Sequence, residues 1–313
     1  MAIAPPALRT GDAIGIIAPA GPTDLTRLGR GLALIPKAYR VRLPASLREG
    51  YQRQGGPRYL ADADAQRIDE CNAMLRDPDI RTIVMARGGY GIMRILPQLD
   101  AAALRADPKP IVGFSDGTAL LSWAWHAGVR GIHGPVAQQF ADVRASDIAQ
   151  LFALLTEPKP AGELPWSLKR EAAGRGPIEG QLFGGNANLI SHLLATPWQM
   201  PSIDGLMCIE DVGEKPYAID RYLTHLGLAD GLRGTRAIIA GDFTRCMDPL
   251  PAVGAPDDPS EALAVLAERA AALDLPCWHG AEFGHGANNS PWPFGARARL
   301  DGATLTLLDA AVS

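Results

Sequence analysis

Short, unbroken apolar runs, each followed by a helical pattern, recur through the first half of the chain and restrict its fold more than any other feature. The first is AIGIIAP, Ala13 to Pro19. Apolar residues on both alternations mark a strand buried on both faces, as in a parallel sheet. Asp24 to Ile35 follows as a helix with Thr23 or Asp24 as its N-cap. VRLP, Val41 to Pro44, is a second short strand, and the polar stretch RQGGPRYLADADAQ, with Gly55, Gly56 and Pro57, reads as an exposed loop. Ala63 to Arg76 is an amphipathic helix with Ile68, Cys71 and Leu75 on one face. Strands are then expected at Arg81 to Ala86, at Pro110 to Phe114 and in GIHGP, and helices at Ile92 to Leu99 and Thr118 to Ala127. Such alternation means βαβ units, hence an α/β fold on a parallel sheet.

The pattern breaks after about Leu155. Glu157 to Pro177 contains Pro158, Pro160, Pro165, Gly162, Gly174 and Gly176 without periodicity, and reads as an interdomain linker. Beyond it, strands are expected at Leu206 to Glu210 and Arg236 to Phe243, with a terminal pair in ARARLDGATLTLL that turns at Asp301-Gly302. Helices fit Asn188 to Leu194, Ile219 to Leu226 and Ser260 to Ala272. A chain of 313 residues suits two domains of about 150 residues each. The expected division is residues 1–156, a linker at 157–177, and a smaller α+β domain at 178–313.

Composition narrows the functional classes. A hydrophobic share of 47% with 20% charged residues excludes a disordered chain. Thirty Lys and Arg against 34 Asp and Glu leave a charge of -4, which provides no basic face for nucleic acid. No apolar run approaches the roughly 18 residues of a membrane span, and MAIAPPALRTGDAIG lacks the layout of a signal peptide. A soluble chain in a reducing compartment is expected. Cys71, Cys208, Cys246 and Cys277 stand far apart, without a C-x-x-C pair, and read as buried free thiols rather than disulfides or a zinc site.

The strongest local signal is Gly113-Phe114-Ser115-Asp116-Gly117, between a buried strand and an apolar helix. It matches G-x-S-x-G, the nucleophile elbow, in which a strained turn lifts the serine hydroxyl above the carboxyl edge of the sheet. Small residues are needed on either side because a side chain there would collide with neighbouring backbone. The N–H of Asp116, at a helix N-terminus, can face a developing oxyanion. The plainer alternative is an ordinary strand-to-helix turn with Ser115 as N-cap. The second signal is Arg87-Gly88-Gly89-Tyr90-Gly91, directly after a strand. Its glycines let N–H groups point outward to complete an oxyanion hole, although it lacks the spacing of a phosphate loop.

A serine nucleophile needs a base and an orienting acid. Of the six histidines, His126 and His192 sit in helical patterns, His225 in a charged helix, and His133 after a short strand. His285 lies in GAEFGHGANNSPWP, a loop dense in Gly, Asn and Pro, and is the preferred base. Glu210, Asp211 and Glu214 follow a buried run, as does Asp242; Glu210 ends its run and is preferred. No metal-ligand spacing such as H-E-x-x-H is present, and neither metal nor cofactor is expected.

Eight blocks, in order, resemble the LD-carboxypeptidase family, the muramoyl-tetrapeptide carboxypeptidases with the microcin-immunity peptidases as a sister branch. They are GDAIGIIAPAGP, YLADADAQRIDECNAMLRDPDI, ARGGYGIMRILPQLD, KPIVGFSDGTALL, GIHGP, GQLFGGNANLISHLLATP, CIEDVGEKPYAIDRYLTHL, and FGHGANN with PFGARARLD. The resemblance implies a flavodoxin-like N-terminal domain and a smaller C-terminal domain that supplies Glu and His. It implies a triad of Ser115, Glu210 and His285, with Glu210 preferred over Glu214, and an oxyanion hole from the N–H groups of Gly89 and Asp116. Arg87, with Tyr90, is the candidate for holding the substrate and its free carboxylate. The implied reaction releases terminal D-alanine from a murein tetrapeptide in the cytoplasm, by a homodimer. The sister branch implies a peptide–nucleotide amidase instead. A non-catalytic ligand-binding protein on the same fold and a generic α/β-hydrolase esterase are the remaining alternatives.

Overall fold

The apolar runs of the first half do assemble into a parallel sheet. The computed structural model describes residues 2–48, 53, 55–170, 176–201, 204–248, 258 and 260–313. They form two compact units, one of Met1–Ala161, Ser290–Gly295 and Ala310–Ser313, the other of Gly162–Asn289 and Ala296–Asp309.

In the first unit, β1 (Ala13–Ile17), β2 (Arg40–Arg42), β3 (Ile80–Met85), β4 (Ile111–Gly113) and β5 (Gly131–His133) run parallel in the order β2-β1-β3-β4-β5. That is the flavodoxin-like order, in which ligands gather outside the carboxyl ends near the β1/β3 switch point. All of β1 is buried, as its apolar run requires. The helix Leu25–Leu32 starts on Asp24, whose carboxylate accepts from the N–H groups of Thr26 at 2.9 Å and Arg27 at 3.0 Å. The helix Asp64–Arg76 buries Ile68, Cys71 and Leu75. The stretch expected as an exposed loop is partly interior. Leu60, Ala61 and Asp62 are buried, because the Ala61 N–H donates to the Ala20 carbonyl at 2.8 Å. Asp62 also accepts from the N–H groups of Gly55 and Ala63. Its polar letters describe a folded cap over the loop after β1. The helices Ala101–Ala106 and Ala145–Thr156 have no counterpart in the sequence expectations.

The second unit begins inside the expected linker. β6 (Gly162–Glu163) and β7 (Lys169–Arg170) are edge strands of its sheet, and residues 171–175 lie outside the described residues. Two-residue strands carry no periodicity, so proline and glycine content alone read as linker. β8 (Ile178–Asn186), β9 (Gly205–Val212), β10 (Thr235–Thr244) and β11 (Cys277–His279) form a parallel centre.

Then β12 (Trp292–Phe294) joins the first unit instead, antiparallel to β5, with Trp292 opposite His133. An edge position accommodates Pro293, which has no N–H to donate. β13 (Arg297–Asp301) and β14 (Thr304–Leu307) close the second sheet as an antiparallel hairpin, with Gly302 at φ +56°. The tail returns to the first unit, where the Ala7 N–H donates to the Ser313 carbonyl at 2.9 Å. The expected continuous second segment from 178 to 313 is interrupted in this division, since the chain returns to the first unit twice, at Ser290–Gly295 and at Ala310–Ser313. All four cysteines are buried, and none of them is in a disulfide. Among the described residues no helix is long and apolar enough to cross a membrane.

Candidate active site

Ser115 follows β4 and sits at φ +61°, a conformation rare for a residue with a Cβ. Such strain collects at functional sites. The flanking glycines are required by packing, though not against backbone as expected. A Cβ on Gly113 would lie 2.5 Å from the Met85 sulfur, and one on Gly117 2.7 Å from the same atom. The buried thioether at the end of β3 therefore sits against both. The N-cap of the following helix is Asp116 and not Ser115.

The Arg87–Gly91 loop lies beside this turn because β3 and β4 are parallel neighbours. A Cβ on Gly88 would meet the Ser115 Cβ at 3.0 Å and its hydroxyl at 3.1 Å. Gly89 has φ +125°, and a Cβ there would press on the Gly21 backbone at 2.9 Å. The Gly21 N–H donates to the Gly88 carbonyl at 3.1 Å, tying the loop to the one after β1. Neither the Gly89 nor the Asp116 N–H donates to another of the described residues. Arg87 is exposed and donates to the Pro22 carbonyl. Tyr90 is exposed and meets Tyr59 edge-on at 5.6 Å.

Two charged groups beneath these loops escaped the sequence reading. The Asp116 carboxylate is 2% exposed and accepts the Ile92 N–H at 2.9 Å. Burial pushes its pKa up to about 6, against the pull of that N–H and of the Arg67 charge. Arg67 is 1% exposed and donates to the carbonyls of Pro19 and, at 3.0 Å, Gly91, and to the Asp64 carboxylate at 2.6 Å. A buried Arg has no signature in sequence, since helical periodicity assigns charged residues to the solvent face.

In the second unit, Glu210 lies near the end of β9 and is fully buried. Its Oε2 accepts from His285 Nδ1 at 2.6 Å. A carboxylate only accepts, so Nδ1 carries the hydrogen and a neutral ring keeps its lone pair on Nε2. Burial pulls the His285 pKa down, but the charge and hydrogen bond of Glu210, with Asp211 and Asp242 beyond, outweigh it and hold the value above the usual 6.5. The loop around His285 is shaped by glycine. A Cβ on Gly284 would meet Glu210 Oε2 at 3.0 Å, and one on Gly286 would overlap the Asp242 carboxylate at 1.5 Å.

The other acids have different partners. Glu214 accepts from Asn188 Nδ2 at 2.7 Å. Asp211 accepts from Asn186 Nδ2 and the N–H groups of Asn188 and Val212, and burial, with Glu210 beside it, pushes its pKa up to about 7. Asp242 accepts from the Thr244 hydroxyl at 2.8 Å. Among the remaining histidines, His133 stacks on Trp292 at 4.8 Å inside the first unit, and His225 meets the Ser191 hydroxyl at 2.9 Å. Among the described residues no group of three or more His, Cys, Asp or Glu side chains is placed to hold a metal ion.

Comparison with known proteins shows the family of the chain. Residues 14–134 match the LD-carboxypeptidase N-terminal domain and residues 179–300 the LD-carboxypeptidase C-terminal domain. The chain belongs to the LD-carboxypeptidase family, whose members are serine-type peptidases. Among its relatives, the murein tetrapeptide carboxypeptidase of Pseudomonas aeruginosa is 32% identical over 268 residues, 79% of this chain and 81% of the relative. The crystal structure of muramoyltetrapeptide carboxypeptidase from Oxalobacter formigenes superposes with a TM-score of 0.79 at 26% identity, covering 94% of this chain and 97% of that one. The microcin C7 self-immunity protein of Escherichia coli is 25% identical over 273 residues, 75% of this chain and 76% of that protein.

Proposed function

We propose that this chain is a serine LD-carboxypeptidase that removes terminal D-alanine from a murein tetrapeptide. The observation that carries the reading is the buried Glu210 carboxylate on Nδ1 of His285 at 2.6 Å, which makes Nε2 the basic nitrogen. Ser115 attacks the carbonyl carbon of the bond before D-alanine, and its proton passes to His285 Nε2. The resulting oxyanion is met by the N–H groups of Gly89 and Asp116. The C–N bond then breaks, the imidazolium protonates the departing D-alanine amine, and an ester to Ser115 remains. Water deprotonated by His285 cleaves that ester and restores the serine. Glu210 holds the tautomer and stabilises the imidazolium throughout. Arg87 spends one donor on Pro22, and its remaining N–H groups suit the terminal carboxylate. Tyr90, beside Tyr59, lines the approach.

On this reading residues 1–161 supply the nucleophile and oxyanion donors, and the second unit supplies the acid and base. The enzyme acts in the cytoplasm as a homodimer, without metal or cofactor. Murein tetrapeptide is preferred as substrate because the murein relative is the closer match, 32% against 25% identity. The second reading, an amidase for aminoacyl nucleotides, rests on the microcin relative. The test is mass spectrometry of both substrate types, murein tetrapeptide and an aminoacyl sulfamoyl adenosine, with the purified protein. Loss of one alanine from the tetrapeptide, absent in Ser115→Ala, is expected. Turnover confined to the nucleotide compound would transfer the function to the second reading, and an inert wild type on both would leave a binding protein.

A further inference from the structure

One peptide unit in the first unit is gripped from both sides. The carbonyl oxygen of Gly91 accepts from the buried Arg67 guanidinium at 3.0 Å, and the N–H of Ile92 donates to the buried Asp116 carboxylate at 2.9 Å. These are the two polar ends of the single Gly91–Ile92 peptide bond. In a trans peptide they point in opposite directions. Two oppositely charged, buried side chains therefore fix the orientation of this plane.

The position of the grip matters. It closes the Arg87–Gly91 loop, in which Gly89 and Gly91 stand at φ +125° and +124°. Glycine reaches that region without strain but also leaves it easily, so the sequence of the loop does not hold its own shape. At the other end the Gly88 carbonyl is tied to Gly21. Asp116 is also the residue after Ser115, so movement of the nucleophile turn and of the glycine loop is coupled through one side chain. Arg67 extends the frame by donating to Pro19 after β1 and to Asp64, which in turn holds Arg94 at 2.8 Å.

We infer that Asp116 and Arg67 are positioning residues for the oxyanion hole: by clamping the Gly91–Ile92 peptide they keep the Gly89 N–H aimed beside the Ser115 hydroxyl. The inference rests on the proposed acyl-transfer reading and adds to it. Asp116 then serves twice, its backbone N–H as a donor and its carboxylate as the strut that fixes the other donor. Donors held rigidly before reaction are effective because no reorganisation is needed as charge develops.

The test uses the full-length protein with Asp116→Asn, Asp116→Ala and Arg67→Met. Loss of one oxyanion donor costs about 10²–10³ in kcat, so Asp116→Ala and Arg67→Met should each lower kcat about 10- to 100-fold with KM within about threefold. Asp116→Asn keeps an oxygen acceptor for Ile92 and should recover most of the loss. Hydrogen exchange gives a readout independent of turnover: the amides of Gly89 to Ile92 should exchange at least about tenfold faster in Asp116→Ala while the β3 and β4 amides are unchanged. A folded Asp116→Ala variant with wild-type kcat, or unaltered exchange in the loop, overturns the clamp. So does a loss of kcat that Asp116→Asn does not relieve. If the wild type releases no D-alanine but the exchange contrast is present, the clamp stands and the assigned reaction fails.

Discussion

In the first unit the groups assigned to chemistry are held by backbone conformation: Ser115 at φ +61°, Gly89 at φ +125°, and N–H donors on loops at one sheet edge. In the second they are ionisable side chains, with Glu210 on His285 at 2.6 Å and Asp211 and Asp242 close behind. The first arrangement is specified by backbone sterics together with the grip of Arg67 and Asp116 on the Gly91–Ile92 peptide. The second is specified by charge, and its readiness depends on which proton is bound. On the proposed mechanism the first arrangement is the cradle for an oxyanion and the second a tunable base, and substitutions should affect the two in different ways.

The largest effects come from removing the reacting groups themselves. Ser115→Ala and His285→Ala should each lower kcat by about 10⁴-fold or more, since such residues act as a unit; a residual rate above about 1% in either breaks the assignment of roles. Glu210→Gln should cost about 10²–10⁴ in kcat by analogy with removal of a triad acid. It should also move the acid limb of the pH profile. His285 accepts a proton only when neutral, so kcat/KM falls as pH drops through its pKa, which lies above 6.5 in the wild type. Without the Glu210 charge, burial dominates and the limb shifts to lower pH. Glu214→Gln, altering a residue bonded to Asn188, should leave the limb in place. The opposite pattern in the two variants' pH profiles would make Glu214 the orienting acid.

A sharper contrast lies between two glycines. Gly89→Ala sets a Cβ against the Gly21 backbone at 2.9 Å in a conformation few L-residues adopt, and should lower kcat about 10- to 100-fold. Gly302→Ala, at φ +56° with open space around it, should cost only about 1 kcal/mol in stability and leave kcat alone. Equal effects on kcat would show that the cradle is not rigid in the sense argued. The last effect concerns Asp211 and is read in stability rather than in kcat. Its pKa rises from 3.8 to about 7, so between those values the folded state binds more proton than the unfolded state. Its contribution therefore favours folding at low pH and is lost as pH rises towards 7. Asp211→Asn should flatten the dependence of Tm on pH across that window, a change that thermal melts at several pH values would detect; an unchanged slope would mean that Asp211 is not the titrating group.

The alternating apolar runs made the parallel sheet of the first unit legible because a strand buried on both faces has few other sequences open to it. The G-x-S-x-G turn was legible for a similar reason, since only small residues fit beside the Met85 sulfur. Where a segment was too short for periodicity, as in β6, β7 and β12, the sequence carried no sign of which sheet it would join. The stretch around Leu60 to Asp62 reads as exposed from the polar residues about it, whereas Asp62 is interior and accepts from the N–H groups of Gly55 and Ala63.

By itself the sequence determined the strand-and-helix grammar, the place of Ser115, and a short set of acids and histidines. It favoured Glu210 over Glu214 because Glu210 ends the buried run, but it did not show which histidine, if any, either acid meets. Tertiary structure placed one against His285 and the other against Asn188. It also placed Arg67 and Asp116 on the two ends of one peptide bond. Local sequence reports the conformation a segment prefers, but the partner of a buried charge is set by residues far away in the chain, and only the packed fold brings them within hydrogen-bond distance.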